Sequence, residues 1–178
     1  TTTTINTGLS AGTTYYFMLC ASDTLTHETC TADISVTTTS YPTAASVSGE
    51  QSTDGSGKVL VSVVVNDGDG DTADLKVDYS LNGGSTWNDA TMSETPTDSS
   101  ASFGTLSIDN ASLYQIGNIT TSSGANTLTF KWDAGADLAS ATDLSTVKIR
   151  VTPRANAEQG SSVASQNFVV DLLAPEMP

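Results

Sequence analysis

Basic residues are scarce in this chain: four lysines and two arginines stand against twenty acids, giving a formal net charge of −14. Proteins that grip a phosphate backbone need enough Lys and Arg to release its counterions. Nucleic acid is therefore excluded as a partner, and an anionic membrane surface is disfavoured on the same ground. Histidine occurs once, at His27, which removes His-rich zinc sites. No apolar run approaches the ~20 residues of a membrane-spanning helix, so no membrane insertion is expected. Neither a Gly-x-Ser-x-Gly elbow nor a phosphate-binding loop is present. Carboxylates are plentiful, yet nothing marks a buried pair of the kind glycoside hydrolysis uses. No enzyme activity is expected of this segment. An initiator Met and a signal peptide are also missing, and "TTTTINTGL" already reads as a strand, as in a piece of a longer or processed chain.

What is present points one way. Charged residues make up only 15%, so Thr, Ser, Asn and Gly carry the polar balance. Threonine is β-branched and favours strands, whereas Gly, Asn and Ser favour turns. The expected fold class is all-β. Residues 1–40 read as three strands, "TTTTINTGL", "TTYYFMLCASD" and "ETCTADISVTTT". "SYPTAAS", residues 40–46, has the proline and small residues of a linker. Residues 41–175 then alternate at the spacing of a sandwich: 58–67, 73–82, 126–134, 145–153 and 165–173, with weaker strands in "ASFGTLSID" and "YQIGNIT". "AGADLASATDL" holds at most one helical turn. Residues 176–178 are expected to begin a linker to a further domain.

Cys20 and Cys30 flank "CASDTLTHETC". A metal site needs more ligands than these two and His27, and a hairpin tip is a poor place for a catalytic Cys–His pair. A disulfide between Cys20 and Cys30 stapling the hairpin, as in secreted chains, is the expected reading, and two free thiols on neighbouring strands are the alternative.

"LSAGTTY", Leu9 to Tyr15, resembles the corner between strands E and F of fibronectin type III domains, whose pattern is Leu-x-x-Gly-Thr-x-Tyr. The resemblance implies that Tyr15 is a tyrosine corner, its hydroxyl bonding back to the turn. Phe17, Leu19 and Ala21 would alternate inward, and "ISVTTT" would be the last strand. It covers only the last three of that family's seven strands. The remainder, about residues 42–175, resembles bacterial immunoglobulin-like modules that occur in tandem on secreted and surface proteins. The residues that carry it are "DGDGDTADLKVDYSLNGGSTW", "KWDAGADL", "VKIRVTP" and "FVVDLLAPEMP". The implied architecture is an immunoglobulin-like β-sandwich preceded by three strands of a fibronectin type III-like sandwich. The implied partners are neighbouring domains of the same polypeptide or identical subunits, in a repeating array.

"SLNGGSTW", Ser80 to Trp87, fits the Asp-box hairpin of sialidases with Asn82 replacing the aspartate. Sialidases grip a sugar carboxylate with three arginines, and this chain has only Arg150 and Arg154. The structural reading is a hairpin with Asn82-Gly83 at its corner and Trp87 packed over it. Two sequons, at Asn110 and Asn118, matter only if the source glycosylates asparagine. Thr1 to Thr4 and Thr37 to Thr39 fit O-linked sugar and strand propensity equally well.

"VVNDGDGDTADL" places Asp67, Asp69 and Asp71 on alternate positions. Three carboxylates so close repel one another, and a hard divalent cation would relieve that with oxygen ligands. Thr72 stands where an EF-hand loop needs glycine, and "LKVDY" continues as strand, so an EF-hand is rejected. A calcium site at a sandwich loop tip and a turn whose acids are simply solvated both fit. The function expected from these features is that of a spacer or assembly segment of a long extracellular surface protein or filament. The alternative is an accessory, carbohydrate-binding domain of a secreted polysaccharide-degrading enzyme. Its sugar platform would need exposed coplanar aromatics, whereas Trp87 and Trp132 both fall in strand-type patterns that bury.

Overall fold

The computed structural model describes residues 8–98, 106–121, 126–138 and 143–173. The chain is all-β and divides after Ser40 into two compact units. The first expected strand, residues 1–9, lies almost wholly outside the described residues, as does the expected linker at 176–178.

Unit 1 is one long hairpin. Strand β1 (Thr14–Phe17) pairs antiparallel with β4 (Ile34–Thr37), setting Tyr15 opposite Val36 and Phe17 opposite Ile34. Beyond a break, β2 (Cys20–Ser22) pairs with β3 (Glu28–Cys30), which sets Cys20 directly opposite Cys30. The two sulfurs are bonded. The tip closes because the Asp23 carboxylate accepts the amides of Leu25 and His27 at 2.8 and 3.0 Å. These bonds hold its carboxyl below the usual carboxylate range. Inward alternation survives at Tyr15 and Phe17, both half-buried, and fails beyond them. Leu19 is 72% exposed, and Ile34 and Val36 are 59% and 53% exposed. Both sheets of unit 1 have only two strands, so among the described residues no second layer of the unit covers the apolar face.

Unit 2 is a two-sheet sandwich. Its strands are β5 (Thr43–Gln51), β6 (Val59–Asn66), β7 (Thr72–Ser80), β8 (Asn88–Asp89), β9 (Met92–Asp98), β10 (Ser107–Ile108), β11 (Ile116–Thr120) and β12 (Asn126–Trp132). A single helical turn, α1 (Ala134–Asp137), follows. Then come β13 (Asp143–Ala155), β14 (Glu158–Gln159), β15 (Val163–Ala164) and β16 (Phe168–Asp171). One sheet has the order β5-β6-β12-β9; the other runs β10-β11-β7-β13-β14, with β8, β15 and β16 as short additions.

Period-two burial builds the core. Val59, Val61, Val63 and Val65 of β6 point inward, and register sets Val61 opposite Phe130 and Val59 opposite Trp132. Ala73, Leu75 and Val77 of β7, with Val147, Ile149 and Val151 of β13, complete one continuous cluster. Each of the larger side chains contributes about 1.5–3 kcal/mol by leaving water.

Two strands depart from the sequence expectation. The segment expected as a linker enters β5, and the polar excursion before "ASFGTLSID" contains β9. Both are edge strands of the four-stranded sheet, each paired on one side only. β5 also carries a register shift between Ala45 and Ser48, where Ser46 has φ 53. A bulged edge strand needs few apolar residues, so its alternation is too faint to read.

Where strands cannot pair, side-chain amides take over the ladder. The Gln115 carbonyl accepts the Val77 amide at 2.8 Å while its NH2 donates to the Val77 carbonyl at 3.2 Å, both buried. Asn110 does the same to Met92, at 2.8 and 2.9 Å. The Gln51 amide likewise both donates to and accepts from the backbone of Asp171. Asn110 is the first of the two sequons, and its amide nitrogen is thus engaged within the fold.

Gln115→Met keeps the volume and removes both bonds, leaving the Val77 amide buried without that partner. Chemical denaturation should register a loss of about 1–3 kcal/mol. The same change at half-buried Gln51, whose bonds to Asp171 are exposed, should cost less than half as much, and equal costs would contradict the burial argument.

Candidate metal centre

The β6–β7 loop is wound by its own backbone. The Asp67 carbonyl accepts the Gly70 amide at 3.2 Å, and Asp67 Oδ1 accepts the Asp69 amide at 2.9 Å. Gly70 sits at φ +74, which a side chain would resist. Two neighbouring segments brace the exit of the loop. Thr121 Oγ1 donates to the Asp71 carbonyl at 2.6 Å, and Asn156 Nδ2 donates to Asp71 Oδ2 at 2.7 Å.

This winding gathers the three acids. One carboxylate oxygen from each of Asp67, Asp69 and Asp71 lies within 4.8 Å of the others. Their environments differ: Asp69 is exposed, Asp71 is half-buried, and Asp67 is 1% exposed. Asp67 Oδ2 is the one buried side-chain oxygen or nitrogen among the described residues that has no hydrogen-bond partner. Thr121 and Asn156 were not among the residues singled out from sequence. Nothing local marks Thr121, while the Asn156-Ala157 pair, with φ 47 and 66, is a tight turn whose sequence carries no glycine signal.

The other sequence candidates have separate places. The Tyr15 hydroxyl accepts the Ser10 amide at 2.7 Å, five residues upstream. Cys20, Glu28 and Cys30 also cluster, but the bonded sulfurs offer no thiolate to a metal. Asn82 and Gly83 do not form a two-residue corner. The β7–β8 connection runs over residues 81–87, with positive φ at both Gly83 and Gly84. Asn82 organises it, its Oδ1 accepting from Ser80 Oγ and from the Thr86 amide, each at 2.9 Å. Trp87 packs over Gly84, where an added Cβ would meet the indole at 3.3 Å.

The outer face of β7 and β13 holds most of the basic charge. Register sets Arg150 opposite Asp78 and Arg154 opposite Asp74. Arg150 donates twice to Asp78 Oδ2, at 3.0 and 2.7 Å, and lies over the Trp87 ring at 4.4 Å. Arg154 reaches Asp74 at 2.9 Å and lies over Tyr114 at 3.9 Å. Asp78 also faces Asp89 across β8, a like-charge pair that Lys76 resolves by bridging both at 3.1 Å. Burial alone would lower the Lys76 pKa, but its bonds to Asp78 and Asp89 outweigh that and raise it above the ordinary value. That contribution is fully present below the unfolded-state pKa of about 10.4 and is lost as pH rises through the folded value. Both arginines are therefore committed within the sheet, and neither is free to grip a sugar acid. A cleft of about 330 Å³ lined by Tyr41, Pro42, Thr43, Ala44, Gln159, Gly160, Ser161 and Val163 has no carboxylate, histidine or cysteine among these residues.

No family model matches the chain, and no curated protein matches it. Among the described residues, no helix is long and apolar enough to cross a membrane.

Replacing Arg150 with Met should remove two charge-assisted bonds from Asp78, whose side chain is only 2% exposed. Lys76 remains as a partner, so urea denaturation should show a loss of about 1.5–3 kcal/mol rather than unfolding. A neutral result would mean the pair is no more than a surface contact.

Proposed function

We propose that this chain is a spacer or assembly segment of a long extracellular surface protein or filament. The observation that carries the reading is an exposed hairpin closed by the Cys20–Cys30 disulfide, in a chain of two compact β units joined in series. Such a bond persists in oxidising compartments and is reduced in the cytosol. Tandem β units lengthen a polypeptide without needing a ligand.

The polar face of unit 2 weighs against a sugar platform. Stacking on a pyranose needs a free flat aromatic face, whereas Trp132 is fully buried and Trp87 lies beneath Arg150. On this reading neither carbohydrate nor a catalytic substrate is the partner. The apolar face of unit 1 calls for further β-strands, from the same polypeptide or from an identical subunit. Leaving several such side chains in water forgoes about 1.5–3 kcal/mol each, and open edges invite strand addition.

Immunogold labelling with antibodies raised against the chain should decorate the outside of intact source cells. Label confined to the cytoplasm of sectioned cells would sink the reading. Glycan-array binding that is lost in Trp87→Ala would favour the accessory-domain alternative instead.

Hydrogen exchange tests the assembly half of the proposal. In a proven dilute monomer, amides of β1 to β4 should exchange far faster than those of β6 and β12. Protection of unit 1 equal to that of unit 2 would mean the hairpin is self-sufficient.

A further inference from the structure

We infer that Asp67, Asp69 and Asp71 bind one calcium ion, and that the site ties together three loops at one end of unit 2. The inference rests on the loop itself and holds whether or not the spacer reading does.

Three acidic side chains near one another are common on a protein as acidic as this one. What sets this group apart is Asp67. A carboxylate withdrawn from water must have its charge met by hydrogen bonds or by a cation, because an unpaired buried charge is among the most costly groups a fold can hold. Asp67 is 1% exposed; its Oδ1 is met by the Asp69 amide, and its Oδ2 is met by nothing among the described residues. The chain's arginines do not come to it: Arg150 and Arg154 pair with Asp78 and Asp74. Elsewhere in unit 2 buried polar side chains are met with care, as at Gln115 and Asn126. An oxygen left over beside two further carboxylates is the signature of a missing positive charge.

The chemistry of the donors selects the ion. All are hard carboxylate oxygens, which suit calcium or magnesium and not a thiophilic metal. Oxygens up to 4.8 Å apart fit a single calcium, whose Ca–O bonds of about 2.3–2.6 Å let two ligands stand roughly 5 Å apart across the ion. Magnesium demands strict octahedral geometry at about 2.0–2.1 Å and sheds its water reluctantly, so three carboxylates on one loop suit it less well. Three carboxylates on a surface loop place the affinity with extracellular modules, Kd about 10⁻⁴ to 10⁻³ M.

Neighbouring bonds make the consequence local. Asp71 is oriented by Asn156 of the β13–β14 turn, and its backbone carbonyl is held by Thr121 at the end of β11. An ion drawing Asp67, Asp69 and Asp71 together therefore fixes the β6–β7 loop against both. Calcium would act as a stiffener at that end of the sandwich.

Both tryptophans lie in unit 2, so tryptophan fluorescence of the whole chain follows this unit alone. With 10 mM calcium in place of EDTA, its melting temperature should rise by about 3–10 °C. Asp67→Asn keeps an oxygen for the Asp69 amide and removes the buried charge. It should abolish the calcium shift while melting no lower than the wild type in EDTA. Should that variant fail to fold, Asp69→Asn at the exposed position serves in its place and should weaken calcium binding, measured by calorimetry, at least tenfold. No calcium shift in the wild type overturns the inference. So does an equal shift with 10 mM magnesium, or one that survives in the asparagine variant.

Discussion

Taking the indole of Trp132 out of water while keeping its N–H bonded is the requirement around which one end of unit 2 is organised. The ring fills the core opposite Val59 and stacks on Tyr79 with centroids 4.9 Å apart. Its Nε1 donates to Asp137 at 2.6 Å, and that carboxylate also accepts from the Thr91 amide and hydroxyl at 2.8 and 2.6 Å. Asp137 can reach because the chain leaves β12 in one helical turn, capped where Asp133 accepts the Ala136 amide. A four-residue helix has almost no stability of its own. It exists here because the buried indole and the start of β9 need that acid. Burial and the Asp137 charge together push the Tyr79 hydroxyl above its ordinary pKa, so the ring stays neutral beside them.

The same requirement explains what could and could not be read in advance. Runs such as "KVLVSVVVND" and "NTLTFKWDA" alternate because both strands are central and bury one whole face, so their periodicity is strong. The cysteine pair was legible because a short hairpin sets residues ten apart opposite each other. Gln115 and Asn110 were not legible. Their task is to replace a missing ladder bond on a strand 38 and 18 positions away, and no local pattern encodes that distance. β5 and β9 were missed for a related reason: an edge strand has fewer neighbours to satisfy, so its composition drifts toward that of a loop.

Within the aspartate loop, spacing alone revealed that three acids converge but not that they are unequal. Alternation along an extended turn would place all three on the same rim, equally wet. The Asx bond from the Asp69 amide instead folds Asp67 beneath the loop and leaves Asp69 outside. Burial of the first acid is what separates a candidate ion site from a solvated turn, and the spacing of the three acids does not encode it.

Charge follows the same logic at the scale of the unit. With so few basic residues, a chain of net charge −14 cannot neutralise every acid, and three of its cations, Lys76, Arg150 and Arg154, pair with acids of β7. Asp78, nearly inaccessible, receives both Arg150 and Lys76, while the more exposed Asp74 receives Arg154 among the described residues. Asp67 is as deeply buried as Asp78 but lies at the end of the sandwich, beyond the stretch of β13 that carries the arginines opposite Asp74 and Asp78. The arginines of β13 are thus placed opposite other acids. The proposed calcium would meet the Asp67 charge at far lower conformational cost than a long side chain threaded through the loop.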